Sequence, residues 1–197
     1  MQSKFEFYTG LPVRPARPER LFFGLFPDAA TSTRVSRFAE RFITENRLKG
    51  TQIKAERLHV SLHHIGDYRR LRTKFIFAAR RAAEAVSMRP FLVTFPTIRS
   101  FEHAVSTNNM RRRQPLVLLG EGGALLEFRG VLRAAMERNG LKTAENFTPH
   151  MTLLYGPKPI PFQAIEPINF AVREFALVHS ELRLTHYNII DRWSLEG

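Results

Sequence analysis

Apolar positions along this chain keep two different rhythms, and the change from one to the other marks out its elements. RLFFGLF (20–26) is a near-continuous apolar run stopped by Pro27, the pattern of a buried strand. Asp28 then stands at a helix N-cap position. Val35, Phe38, Ala39, Phe42 and Ile43 recur at helical steps, predicting a helix to about 46 with Gly50 as breaker. A short strand near Ile53 and a strand through RLHVSLHHIG (57–66) follow. A second helix is expected from 70 to 87, burying Leu71, Phe75, Ala78, Ala82 and Val86.

FLVTFPTIRSF (91–101) reads as a strand, and Pro96 within it predicts an edge or a bulge. PLVLLG (115–120) is strand-like again. A third helix over 124–139 presents Leu125, Phe128, Leu132, Ala135 and Met136 and ends at Gly140. FTPHMTLLYG (147–156) and two strands near 168–178 and 182–190 complete the series. Strands and helices mix without strict βαβ alternation, so the class is α+β with mainly antiparallel pairing. Residues 1–19, rich in Pro and Arg, are set apart as an N-terminal extension from one domain over 20–197.

Composition narrows the picture. The chain has 197 residues, 44% of them hydrophobic, which is enough for one sizeable core. With no cysteine, a disulfide scaffold, a zinc-thiolate centre and a cysteine nucleophile are excluded, and a reducing cytoplasm fits. No apolar window approaches the roughly 18 residues of a membrane span, so no membrane partner is expected. The net charge of +12 points instead to a polyanionic partner, nucleic acid or nucleotide.

Two triplets carry candidate chemistry: His59-Val60-Ser61 and His150-Met151-Thr152. Chance supplies about one His-x-(Ser/Thr) triplet in such a chain, so the bare motif is weak. Its setting says more. Side chains at i and i+2 share a strand face, so each strand offers an imidazole and a hydroxyl together. Strict alternation puts His59, Ser61 and His63 on one face, with Leu58, Val60, Leu62 and His64 towards the core. Likewise Tyr155 falls with Met151 and Leu153 on the core side, opposite His150 and Thr152. Two imidazoles flanking one phosphodiester can divide proton acceptance and donation between them, and the hydroxyls can hold non-bridging oxygens.

His-Val-Ser-Leu (59–62), His-Met-Thr-Leu (150–153), the opening RLFFGLFPD and the strand TPHMTLLYG together resemble the 2H phosphoesterase superfamily. Within it the chain is most similar to the bacterial 2′-5′ RNA ligase, or RNA 2′,3′-cyclic phosphodiesterase, branch. The resemblance runs over residues 20 to 191. It implies a bilobal duplicated fold, two mainly antiparallel sheets facing a central cleft with helices outside. It further implies opening of 2′,3′-cyclic phosphates to 2′-phosphates without metal or cofactor, reversible in some members as 2′-5′ ligation. His59 is then the proton donor and His150 the acceptor, with Ser61 and Thr152 binding phosphate.

Three features depart from that pattern: Ser61 for the commoner Thr, the pair His63-His64 where apolar residues are usual, and the Pro/Arg leader. Arg111, Arg112, Arg113, His63 and Phe22 are candidate RNA contacts. His64 and Tyr155 read as structural, and His103, His179 and His186 receive no role. The expected protein is a cytoplasmic monomer acting on RNA ends bearing a cyclic phosphate or 2′-5′ linkage, or on small nucleotide phosphodiesters. A non-catalytic RNA-binding protein of the same fold is the alternative.

Overall fold

The computed structural model describes residues 18–101, 114–181 and 187–196. The extension up to residue 17 and the arginine run 111–113 lie outside them, as do His103 and His186. The elements are β1 (Glu19–Leu25), α1 (Ala29–Glu45), β2 (Thr51–Gln52), a single 3-10 turn (Ala55–Arg57) and β3 (Val60–Tyr68). Next come α2 (Thr73–Glu84), β4 (Phe91–Ser100), β5 (Gln114–Glu121), α3 (Gly123–Arg138) and β6 (His150–Gly156). The chain closes with β7 (Gln163–Val172), β8 (Glu174–Glu181) and β9 (Asn188–Ser194).

The strands pair antiparallel in the order β7-β4-β5-β6-β3-β1-β8-β9, with β2 on β6. The class is α+β, as the pattern predicts. Where two sheets facing a cleft were expected, the halves β7-β4-β5-β6 and β3-β1-β8-β9 are joined into one ladder by a single pair, Val60 with Met151. That pair sits at the middle of both histidine motifs.

One face of the sheet carries the main core. Leu21, Phe23 and Leu25 of β1, Val60 and Leu62 of β3, Phe95 and Ile98 of β4, Met151 and Leu153 of β6 and Phe175 of β8 are all buried there with the helices. In α1 the Asp28 carboxylate accepts from the Thr31 amide at 2.9 Å and the Thr31 hydroxyl at 2.8 Å, satisfying the first turn. Its buried stripe is Thr31, Val35, Ala39 and Phe42. In α2 the helix begins three residues later than predicted, because the Leu71 amide donates to Glu19 Oε2 at 2.8 Å and holds residues 69–72 as a loop. There Ala79, Ala82 and Ala83 are buried. Gly140, at φ +72°, ends α3 in the left-handed conformation that glycine adopts without steric cost.

Pro96 is accommodated by a bulge. Pairing of β4 with β5 and with β7 skips it on both sides, so the strand is interior rather than an edge. The C-terminal region supplies three strands, where the apolar pattern predicts two.

Two further bulges matter most. In β3 the register with β1 runs from Gly24–Ser61 to Phe23–His63, leaving Leu62 as an extra residue. In β6 the register with β5 runs from Val117–Thr152 to Leu116–Leu154, leaving Leu153 extra in the same place relative to its histidine. A bulge inverts the inward and outward alternation beyond it. Leu62 and His63 are therefore both buried, as are Leu153 and Leu154, and the fifth residue past each histidine, His64 or Tyr155, turns outward.

This corrects three sequence assignments. His63 is 2% exposed and packs on the helix side, so it does not line the cleft. Its Nε2–H donates to the Arg129 carbonyl at 3.1 Å, while Nδ1 is buried with no hydrogen-bond partner among the described residues. His64 and Tyr155, read as core-facing, line the cleft instead.

Burial, with the charges of Arg129 and Arg133 adding to it against the Arg129 hydrogen bond, lowers the His63 pKa to about 4 from its ordinary 6.5. The unfolded chain then binds a proton that the folded one refuses, so stability is full above 6.5 and falls as pH drops towards 4. The loss is on the order of 3 kcal/mol. Urea unfolding at pH 7 and 4.5 is expected to show His63→Leu losing clearly less stability on acidification than the parent. Equal losses would remove His63 from the acid response.

Candidate active site

The outward face of the central strands forms a cleft of 460 Å³, which holds His59, Ser61, His150 and Thr152. The antiparallel pairing of 60 with 151 sets 59 in register against 152 and 61 against 150. Both motifs thus meet on one face across a local pseudo-dyad.

The two imidazoles are held alike. His59 Nδ1–H donates to the Arg57 carbonyl at 2.8 Å, and His150 Nδ1–H donates to the Thr148 carbonyl at 2.7 Å, each two residues upstream. A backbone carbonyl only accepts, so it fixes the proton on Nδ1 and leaves Nε2 as the working nitrogen of both rings. At His59 the Ser61 hydroxyl lies 3.1 Å from that Nε2 and donates to it while the ring is neutral.

Their surroundings differ. His59 is enclosed by aromatic rings, with centroid distances of 5.3 Å to Phe22, 5.7 Å to Phe26 and 5.2 Å to Tyr187. These rings belong to a small apolar cluster on the cleft side with Ala176, Val178 and Ile189. Desolvation there, with the positive charges of Arg57 and His150 adding to it, lowers the His59 pKa to about 4 against the opposing hydrogen bond to the Arg57 carbonyl. Among the described residues His150 has one ring neighbour, Phe101, at 4.9 Å. Phe22 is 4% exposed and its ring is taken up by His59 and Tyr187, so it backs the imidazole rather than offering a face to a base.

Several cleft residues escape sequence reasoning. Arg57 has its guanidinium 4.6 Å over the Tyr187 ring and its Nε buried without a partner among the described residues. Its position two residues before His59 was the available signal. Arg20 grips Asp67 through two bonds of 2.7 and 2.9 Å, and His64 Nε2–H donates to the same carboxylate at 2.9 Å. The Arg20 bonds foremost hold the Asp67 pKa at about 2. Thr51, Ile53, Ser180 and Tyr187 complete the wall. Among the described residues no three His, Asp or Glu converge as a metal-binding group, and no helix is long and apolar enough to cross a membrane.

A family model described as the 2′-5′ RNA ligase superfamily matches residues 27–184. No curated protein matches the chain. Among solved structures, Escherichia coli LigT complexed with 3′-AMP is similar with a TM-score of 0.68 at 21% identity, covering 91% of this chain and 99% of that one. TT0787 of Thermus thermophilus gives 0.66 at 21% identity, covering 90% and 98%. E. coli LigT complexed with phosphate gives 0.63 at 22%, covering 92% and 99%. At such identities the likeness is one of fold.

Proposed function

Because the chain belongs to the 2′-5′ RNA ligase superfamily, we propose that it is a phosphodiesterase that opens RNA 2′,3′-cyclic phosphate ends to 2′-phosphates by two-histidine acid/base chemistry. The observation that supports this best is the matched pair of imidazoles in one cleft, each with Nδ1 tied to the carbonyl two residues upstream and Nε2 turned to the cleft, at His59 beside the Ser61 hydroxyl.

In the proposed reaction His150 Nε2 accepts a proton from water as its oxygen bonds to phosphorus. The P–O3′ bond breaks, and His59 Nε2–H supplies the proton to the departing 3′ oxygen. The products are a 3′-hydroxyl and a 2′-phosphate. Ser61 and Thr152 donate to non-bridging oxygens, and Arg57 adds positive charge beside them. No metal or nucleotide cofactor takes part in this scheme. With a 5′-hydroxyl in place of water as the nucleophile, the same displacement of the 3′ oxygen would form a 2′-5′ bond.

A pKa near 4 leaves His59 neutral in the empty cleft at pH 7. It must therefore take up its proton with the anionic substrate, whose charge opposes the effect of burial and of Arg57. Calorimetric titration with a nucleoside 2′-phosphate at pH 6.5, in buffers of different ionisation enthalpy, is expected to show proton uptake that His59→Ala loses. Binding with no uptake would exchange the roles of the two histidines.

Comparison of a cyclic-phosphate-ended RNA, a nucleoside 2′,3′-cyclic phosphate and a 2′-5′-linked dinucleotide tests the substrate class. Turnover of the first two is expected. Activity confined to the 2′-5′ linkage, or RNA binding with no product from any of them, would overturn the proposal.

A further inference from the structure

Resting on the phosphoesterase reading above, we infer that a single-stranded RNA tail leaves the cleft along β3 and lies on the arginine loop between β3 and α2. The loop and the first turn of α2 read Arg69-Arg70-Leu71-Arg72-Thr73-Lys74, four cations in six residues, each of the four exposed. Among the described residues no carboxylate forms an ion pair with Arg69, Arg70 or Arg72. A surface solvated for its own sake is usually mixed in sign. This one carries a single sign.

The loop is also anchored. Its Leu71 amide is bonded to Glu19, and the Tyr68 and Phe75 rings pack beneath it with centroids 4.7 Å apart. The cations therefore surround a shaped hollow of 850 Å³ walled by Asp67, Tyr68 and the loop itself.

Continuity with the cleft identifies the occupant. Asp67 forms one wall of the hollow, and its carboxylate binds Arg20 and His64, which both line the catalytic cleft. Arg20 neutralises Asp67, so no net negative charge interrupts the way from His59 to Arg69. The nine residues of β3 separate those two side chains, roughly 30 Å at the usual rise. The bulge at Leu62 is what turns His64 outward at the midpoint. A line of cations starting at a phosphodiester site fits a chain with one negative charge per nucleotide, and its contribution to affinity is counterion release.

The test uses the full chain in a His150→Ala background, so that RNA is bound without turnover. Fluorescence anisotropy with a single-stranded RNA ending in 2′,3′-cyclic phosphate is compared before and after Arg69→Gln, Arg70→Gln and Arg72→Gln together. Affinity at low salt should fall about tenfold or more, and the slope of log affinity against log salt should shrink by about 2, three cations at roughly 0.7 each. With His150 intact, KM for a nucleoside 2′,3′-cyclic phosphate, too short to reach the loop, should change less than about twofold while KM for the RNA rises.

Unchanged RNA affinity and slope would overturn the inference, as would equal weakening of RNA and mononucleotide. Loss of binding to phosphatidylserine vesicles without loss of RNA binding would assign the loop to a membrane surface and overturn it too. Should the parent open no cyclic phosphate while RNA binding still depends on the three arginines, the path stands and the phosphoesterase reading falls.

Discussion

His150→Ala and His59→Ala are each expected to lower kcat for cyclic phosphate opening by at least about a thousandfold. General acid or base catalysis by one positioned group supplies roughly 10² to 10⁴, and these two act on one proton inventory. In the proposed reaction, without His150 the attacking water keeps its proton, and without His59 the 3′ oxygen must leave as an alkoxide. Because the pair works as a unit, the double variant should be barely slower than either single one. The fold should survive, since neither imidazole lies in the main core cluster. Steady-state rates alongside urea unfolding give the check. Wild-type kcat in either single variant would end the two-histidine account, and multiplying losses would show two independent contributions.

Arg129→Met is expected to cost about 3 kcal/mol or more of stability. Arg129 is a charged residue on the apolar face of α3 and is 8% exposed. Its Nε donates to the Leu62 carbonyl at the β3 bulge at 3.3 Å. Its two terminal nitrogens donate to the Glu145 carbonyl at 3.1 Å and to the Ala144 carbonyl. The guanidinium also lies 4.6 Å over the Phe147 ring. One side chain thus ties the bulge of the first motif to the segment that leads into the second. Removing it strands the buried Leu62 carbonyl, at about 1–3 kcal/mol, and gives up two charge-assisted bonds to the exposed residues Ala144 and Glu145, whose carbonyls water can reach. For a chain of this size the melting temperature should drop by roughly 10 °C. Lysine should restore little, because one ammonium cannot reproduce the planar fork. A loss below about 1 kcal/mol in urea unfolding would show that water replaces these bonds.

The elements set by local pattern were legible: β1 as an apolar run, the Asp28 cap of α1, the apolar face of α3 and its Gly140 stop. The two histidines and their hydroxyls were legible as well, because i and i+2 share a face as long as a strand stays regular. Regularity fails one residue later, at Leu62 and Leu153. The extra residue of a bulge is defined by the partner strand's register, which a single segment does not display. Strict alternation therefore puts His63 and His64 each on the other's face, and Tyr155 on the core side, where the bulges turn them over.

Arg20, Arg57 and Tyr187 reach the cleft only through tertiary arrangement. Arg20 comes from β1, Arg57 from the 3-10 turn before the motif, and Tyr187 from the segment entering β9. The joining of the two halves into one sheet through Val60 and Met151 is a single long-range pair, which no periodicity encodes.

Two imidazoles in one cleft are proposed to open a cyclic phosphate by directing water at phosphorus. This is tested most directly by incubating the purified protein with a 2′,3′-cyclic-phosphate-ended RNA in ¹⁸O-labelled water with excess chelator, then mapping the product by mass spectrometry. The account predicts rapid conversion to a 2′-phosphate carrying one ¹⁸O at phosphorus and a free 3′-hydroxyl, lost in His59→Ala and in His150→Ala. Recovery of the cyclic phosphate intact, or a 3′-phosphate in its place, would contradict it.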